Sequence, residues 1–175
     1  GTPPRPCVFA NASNQKGVPM GESESGHIWK LMESIPMALL VTRNGEAMDA
    51  RPMGAHAKRE DGRIYILANK GEDSDEEIQA DSEVVLSFQN GTTYVVVYGN
   101  GHASNDRAKI RELWTPFAKA WWDSPEDPRI RLLAVTPRRA EYWESPGKLI
   151  TYADMLLSAA TGKRPSVGDH GSARL

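Results

Sequence analysis

Short apolar runs alternate with polar, turn-forming residues along most of the chain, and their period switches between helical and strand-like. Ile28, Leu31, Met32 and Ile35 recur at helical spacing and mark one face of a short helix. Pro36 stops it, because proline lacks the amide hydrogen and clashes with the preceding turn. Met37 to Arg43 is an apolar, partly β-branched run ending in Asn44-Gly45, a dipeptide that tolerates the positive φ of a two-residue hairpin. The partner strand runs from Glu46 to Ala57, Lys58 to Gly62 is polar turn material, and Arg63 to Ala68 is the returning strand. After the acidic run Glu72 to Glu77, Ile78 anchors a second short helix. Glu83 to Gln89 is a strand, and Asn90-Gly91 turns it into Thr92 to Ala103.

Ile110, Leu113, Trp114, Phe117, Ala118 and Trp121 keep helical spacing, with Asn105 or Asp106 as the cap and Pro116 interrupting the helix or starting another. This stripe predicts core packing for Trp114 and Trp121, and leaves Trp122 at its edge, placed to stack on a cofactor or substrate ring. Ile130 to Thr136 and Ala140 to Trp143 read as two last strands separated by Pro137, followed by a helix over Tyr152 to Ala160. The expected organisation is a flexible arm over 1–25, one domain over 26–164 and a fraying tail over 165–175. Six or seven short antiparallel strands with few helices predict a mainly β fold, a β-barrel or sandwich with flanking helices.

Composition narrows the function. Lys and Arg total 21 against 23 Asp and Glu, so no global field argues for nucleic acid or an anionic membrane as partner. No apolar run approaches the roughly 20 residues of a membrane span. The single cysteine, Cys7, cannot form an internal disulfide, and with no charged-then-apolar leader the expected compartment is the cytoplasm. His27, His56, His102 and His170 are scattered without metal-ligand spacing, so no metal site is expected. Gly99-Asn100-Gly101 lacks the third glycine of a dinucleotide fingerprint and reads as a bulge. No nucleophile elbow is present, and no catalytic side chain is identified.

Arg51-Pro52-Met53, late in a strand, is the leading candidate site. A guanidinium there can clamp phosphate with two parallel hydrogen bonds; equally, it can be an exposed arginine on an edge strand, where Pro52 is tolerated. The order of helix, Met37 to Arg43, Asn44-Gly45, Ala50-Arg51-Pro52-Met53, Ile64 to Asn69, short helix, Val84 to Phe88, Tyr94 to Gly99, Leu113-Trp114-Thr115-Pro116-Phe117 and Glu141-Tyr142-Trp143 resembles the general stress proteins of the pyridoxamine 5'-phosphate oxidase-like superfamily. The resemblance implies an FMN-binding split barrel that works as a homodimer with flavin at the subunit interface. By position, Arg51, Pro52 and Met53 would flank the phosphate and the isoalloxazine, Leu67 and Ala68 would line the cofactor, and Tyr94 would reach it from the partner subunit.

One position departs from the family. A lysine usually stands four residues before the isoleucine of the short helix, where it meets the phosphate; here that position is Ser74, between Asp73 and Asp75. A carboxylate about 4 Å from the phosphate would cost on the order of 4 kcal/mol per unit charge at an effective dielectric of about 20. Either the acids face away and favour the helix start through its dipole, leaving Ser74, nearby amides and Lys70 to hold phosphate, or phosphate binding is weakened. The implied function is an FMN-dependent oxidoreductase acting on an unknown small molecule, possible in a stress response; the alternative is a non-enzymatic barrel that has lost FMN or only carries or senses a flavin. A deazaflavin or haem in the same groove is also compatible with the sequence.

Overall fold

The computed structural model describes residues 23–145, 156–162 and 168–175. Helix α1 (Glu24–Glu33) starts at Ser23, whose hydroxyl accepts the Gly26 amide, and buries Ile28, Trp29 and Met32. Strands β1 (Met37–Asn44) and β2 (Ala47–Gly54) form the first hairpin. Its two-residue loop is Gly45-Glu46, one position later than the sequence suggests. Only Gly45 has positive φ, at 61°, while Asn44 stays in the strand and donates its side chain to Asp49.

The expected strand from Glu46 to Ala57 breaks at Ala55. Its second part, β3 (His56–Lys58), leaves β1 and pairs with β4 (Arg63–Asn69). Helix α2 (Asp73–Ala80), β5 (Glu83–Asn90), β6 (Thr93–Ser104), α3 (Arg107–Leu113), β7 (Ile130–Glu144) and β8 (Asp169–Arg174) complete the order. The antiparallel sheet runs β2-β1-β5-β6-β7-β4-β3, with β8 added to β7. Because β2 and β3 lie at the two ends of this path and are separated only by Ala55, the chain itself joins the ends into a barrel. The fold is the mainly β split barrel with flanking helices, with eight strands among the described residues instead of six or seven.

Three expectations change. The two last strands are one, β7, which crosses Pro137 through a register shift opposite Tyr98 and Gly99; a bulge accommodates a residue that cannot donate to the ladder. The tail does not fray, since Asp169–Arg174 pairs with Arg139 to Glu144 and satisfies backbone groups on both strands. The helix at Ile110 ends at Leu113 and resumes only as a 3₁₀ turn (Ala118–Ala120), because Pro116 breaks it and resets its phase. Its cap is Asp106, which accepts the Lys109 amide. The phase change exposes Trp121 to 67% and buries Trp122, the reverse of the core position expected for Trp121. Of the arm expected over 1–25, residues 1–22 lie outside the described residues and Glu24 and Ser25 already belong to α1; of the helix expected over 152–160, residues 156–160 are described and are helical.

Two apolar clusters follow. The barrel interior holds Ile28, Met32, Leu40, Ile64, Ile66, Leu86, Phe88, Val95, Val97 and Leu133. Outside it, Ile110, Leu113, Ala118 and Trp122 cover the outer face of β4 and β7 at Tyr65, Ile130, Leu132 and Ala134. Helices α1 and α2 serve opposite ends of β7: His27 of α1 meets Glu144, and Asp75 of α2 meets Arg131.

Candidate functional site

Alternation along β1 and β2 turns Leu40, Thr42 and Arg51 toward the barrel interior, with Arg51 opposite Leu40 in the register. Arg51 therefore lies on the terminal strand of the sheet, but with its side chain turned inward. Its Nη2 donates to Glu77 Oε2 at 2.7 Å, and the Thr42 hydroxyl donates to the same oxygen. Glu77 is 7% exposed. Both partners keep one buried atom without a hydrogen bond, Arg51 Nη1 and Glu77 Oε1.

Two of the acids, Asp75 and Glu77, turn inward, while Glu72, Asp73 and Glu76 stay exposed. Ile78 packs into the barrel beside Gly101, where a Cβ would stand 3.0 Å from it, so the glycine lets α2 seat closely. Residues four and three positions before Ile78 share its face, and Ser74 and Asp75 are accordingly buried. Asp75 Oδ2 accepts the Gly71 amide at 2.9 Å and Oδ1 accepts from Gln79. Arg131 Nε lies 3.0 Å from Asp75 Oδ1 in ionic contact, although its N–H is not aimed at that oxygen. The N-cap position is Glu72, whose side chain makes no capping bond and instead accepts from Asn69.

The loop between β4 and α2 is thus tied by its own groups. The Lys70 amide bonds Arg129 O, the Gly71 amide bonds Asp75, and the Glu72 amide bonds Asn69 O. Asn69 also accepts the Trp122 indole at 2.7 Å. The Lys70 side chain is exposed and makes no ion pair among the described residues. Glu72, Asp73, Asp75, Glu76 and Glu77 here outnumber Arg51, Arg131 and Lys70.

The structure brings together Arg51 and the helix that carries Ser74, and places Trp122 next to the loop that carries Lys70. Pro52 is exposed on β2 and Met53 is partly buried against the barrel core. Leu67 and Ala68 point to opposite sides of β4, Leu67 toward the outer cluster and Ala68 into the barrel. Trp122, at 7% exposure, is packed in the outer cluster rather than at an open edge. Tyr94 is 41% exposed on the outer sheet face, its hydroxyl accepting from Gln89. Met37 and Leu39 of β1 are exposed to a similar degree on their strand's outward side.

Sequence reasoning missed Thr42, Asp75, Glu77 and Arg131. The helical spacing of Ser74 and Asp75 from Ile78 was the available signal for the inward face of α2.

These residues do not form a ready phosphate pocket. The guanidinium expected to take the phosphate is paired with an interior carboxylate, and the Lys70, Gly71 and Glu72 amides have internal acceptors. A phosphate meeting Arg51 would also meet Glu77, with a repulsion of several kcal/mol at an effective dielectric of about 20.

Comparison with known proteins gives the fold a family. A general stress protein 26 assignment from Jannaschia sp. CCS1 superposes with TM-score 0.70 at 21% identity, over 86% of this chain and 98% of that one. The general stress protein 26 of Bacillus anthracis str. Sterne has TM-score 0.59 at 19% identity, over 66% of this chain and 93% of that one. The general stress FMN/FAD binding protein of Xanthomonas citri has TM-score 0.60 at 24% identity, over 67% and 85%. These likenesses share the split-barrel fold. Among curated proteins, none matches the chain. The family model described as pyridoxamine 5'-phosphate oxidase like matches residues 23–166, the span of the barrel as far as the helix before β8, and the chain belongs to that family.

Proposed function

We propose that this chain is a flavin-binding split-barrel protein, homodimeric, with the flavin at the subunit interface, and that it serves a cytoplasmic oxidoreductase reaction on a small molecule. The observation that carries this reading is the family match across residues 23–166. Two others support it: the Xanthomonas citri protein of the same fold is described as FMN/FAD binding, and Met37, Leu39 and Tyr94 leave apolar and aromatic surface uncovered on the outer sheet face. In a protein of this kind the flavin ring carries the redox chemistry, and the protein holds and orients it. Pro52 and the Met53 backbone are the proposed ring contacts from one subunit, with Tyr94 from the other; Leu67, Ala68 and Trp122 shape the adjoining strand and loop. Among the described residues no helix is long and apolar enough to cross a membrane.

A second reading has its own observation. The Arg51–Glu77 pair favours a barrel that has lost FMN and works without redox chemistry. Titrating the purified chain with flavin while following visible absorbance and fluorescence quenching separates the two. Saturable binding at micromolar flavin supports the first reading. Absence of binding to FMN and to riboflavin alike rejects it in favour of the second.

A further inference from the structure

We propose that Glu77 is a built-in anion that takes the place of a ligand phosphate on Arg51, so that this chain recognises the flavin nucleus and ribityl chain without the phosphate. The inference rests on the flavin-binding reading above and concerns which flavin the site selects.

Two independent carboxylates support it. Glu77 accepts from Arg51 Nη2 at 2.7 Å and from the Thr42 hydroxyl, so one buried oxygen collects the two donors that an incoming anion would seek. Asp75 accepts the Gly71 amide at 2.9 Å and stands beside Arg131, so the loop amide and the second guanidinium are likewise engaged from inside. Ser74 and Asp75, side by side on the buried face of the helix, bring no cation to it. Three donors that could take a phosphate here, Arg51 Nη2, the Thr42 hydroxyl and the Gly71 amide, are therefore each met by a carboxylate of the chain itself. The unpartnered Arg51 Nη1 and Glu77 Oε1 show that the pair is single rather than bidentate, so Glu77 occupies one arm of the guanidinium. An approaching phosphate would find the other arm at a group already neutralised, with a carboxylate beside it.

Riboflavin and FMN share the ring and ribityl chain and differ by the phosphate, so their affinity ratio reads the proposal. Both are titrated against the full chain and against Glu77→Gln, which keeps the side-chain shape and removes the charge. Wild type is expected to bind the two flavins with affinities within about threefold, and Glu77→Gln to favour FMN by about tenfold or more. Thermal melts give a second readout: FMN should raise the melting temperature of Glu77→Gln more than riboflavin does, whereas wild type responds equally to both. If Glu77→Gln does not fold, the wild-type ratio alone decides. A wild-type preference for FMN of about tenfold or more overturns the proposal and leaves the flavin reading intact. A folded Glu77→Gln that still does not discriminate also overturns it. Wild type that binds neither flavin rejects the flavin reading, and the proposal with it.

Discussion

Replacing Arg51 by methionine tests whether the interior ion pair is a structural element of the barrel. At 2.7 Å, Arg51 and Glu77 attract by about 6 kcal/mol at an effective dielectric of about 20, but the cost of desolvating both charges offsets most of this. Removal of one partner is a different matter, because Glu77 is 7% exposed and would keep only the Thr42 hydroxyl. Breaking a buried pair in this way costs about 3–5 kcal/mol. The Arg51 side chain is 23% exposed, so water reaches its side of the pair and the lower end applies, about 3 kcal/mol. In a chain of this size that lowers the melting temperature by about 6–12 °C. Urea unfolding followed by tryptophan fluorescence should show a reduced midpoint with an unchanged slope. The double variant Arg51→Met, Glu77→Leu, which leaves no charge behind, should recover most of the loss. The reasoning is refuted if Arg51→Met loses less than about 1 kcal/mol, or if the double variant is as unstable as the two single losses added together.

Other parts of the structure give separate tests. Gly99→Ala would place a Cβ 2.5 Å from Thr136 O, a backbone atom that cannot swing away, so the bulge must open; a loss of about 1–3 kcal/mol is expected in the same urea assay. Trp122→Phe removes the 2.7 Å bond to Asn69 and should cost about 1–2 kcal/mol while increasing amide exchange in the loop from Asn69 to Glu72. Burial, aided by Lys58, holds the His56 pKa below its ordinary 6.5 in the folded chain, so the unfolded chain takes up the proton first. Its neutral form therefore contributes stability that is present above pH 6.5 and declines as the pH falls from there toward the lower folded pKa; His56→Gln should flatten that part of the urea-midpoint profile.

Periodicity and turn chemistry made the barrel legible in the sequence. Both hairpins occur, each with its loop one residue later than the Asn-Gly pair and with Gly45 and Gly91 at positive φ, and the spacing of Ile28 and Met32 marks the buried face of α1. Where one residue changes the geometry, pattern alone fell short. Ala55 carries the chain from one sheet edge to the other inside what reads as a single strand, and Pro137 sits inside a strand because a long-range partner, β6, absorbs the irregularity. Pro116 shifted the helical phase by enough to exchange Trp121 and Trp122.

The candidate site was legible in its residues and not in their pairing. Arg51 and the acidic run were both visible, but the carboxylates read as solvent-facing, since an isolated helix start with Asp and Glu is favourable without any partner. Glu72, Asp73 and Glu76 do face solvent; what turned Asp75 and Glu77 inward was the close seating of Ile78 on Gly101, a contact far apart in the sequence. Tyr94 and the outer face raise a parallel difficulty, because the role proposed for them depends on a second subunit, whose surface would be the same sequence again.

Sedimentation velocity with two detection channels tests the central claim most directly, one channel following protein and the other the visible absorbance of added flavin. The account predicts that flavin absorbance moves with a dimer boundary at one flavin per subunit. Flavin left behind at the meniscus, or carried by a monomer, would contradict it.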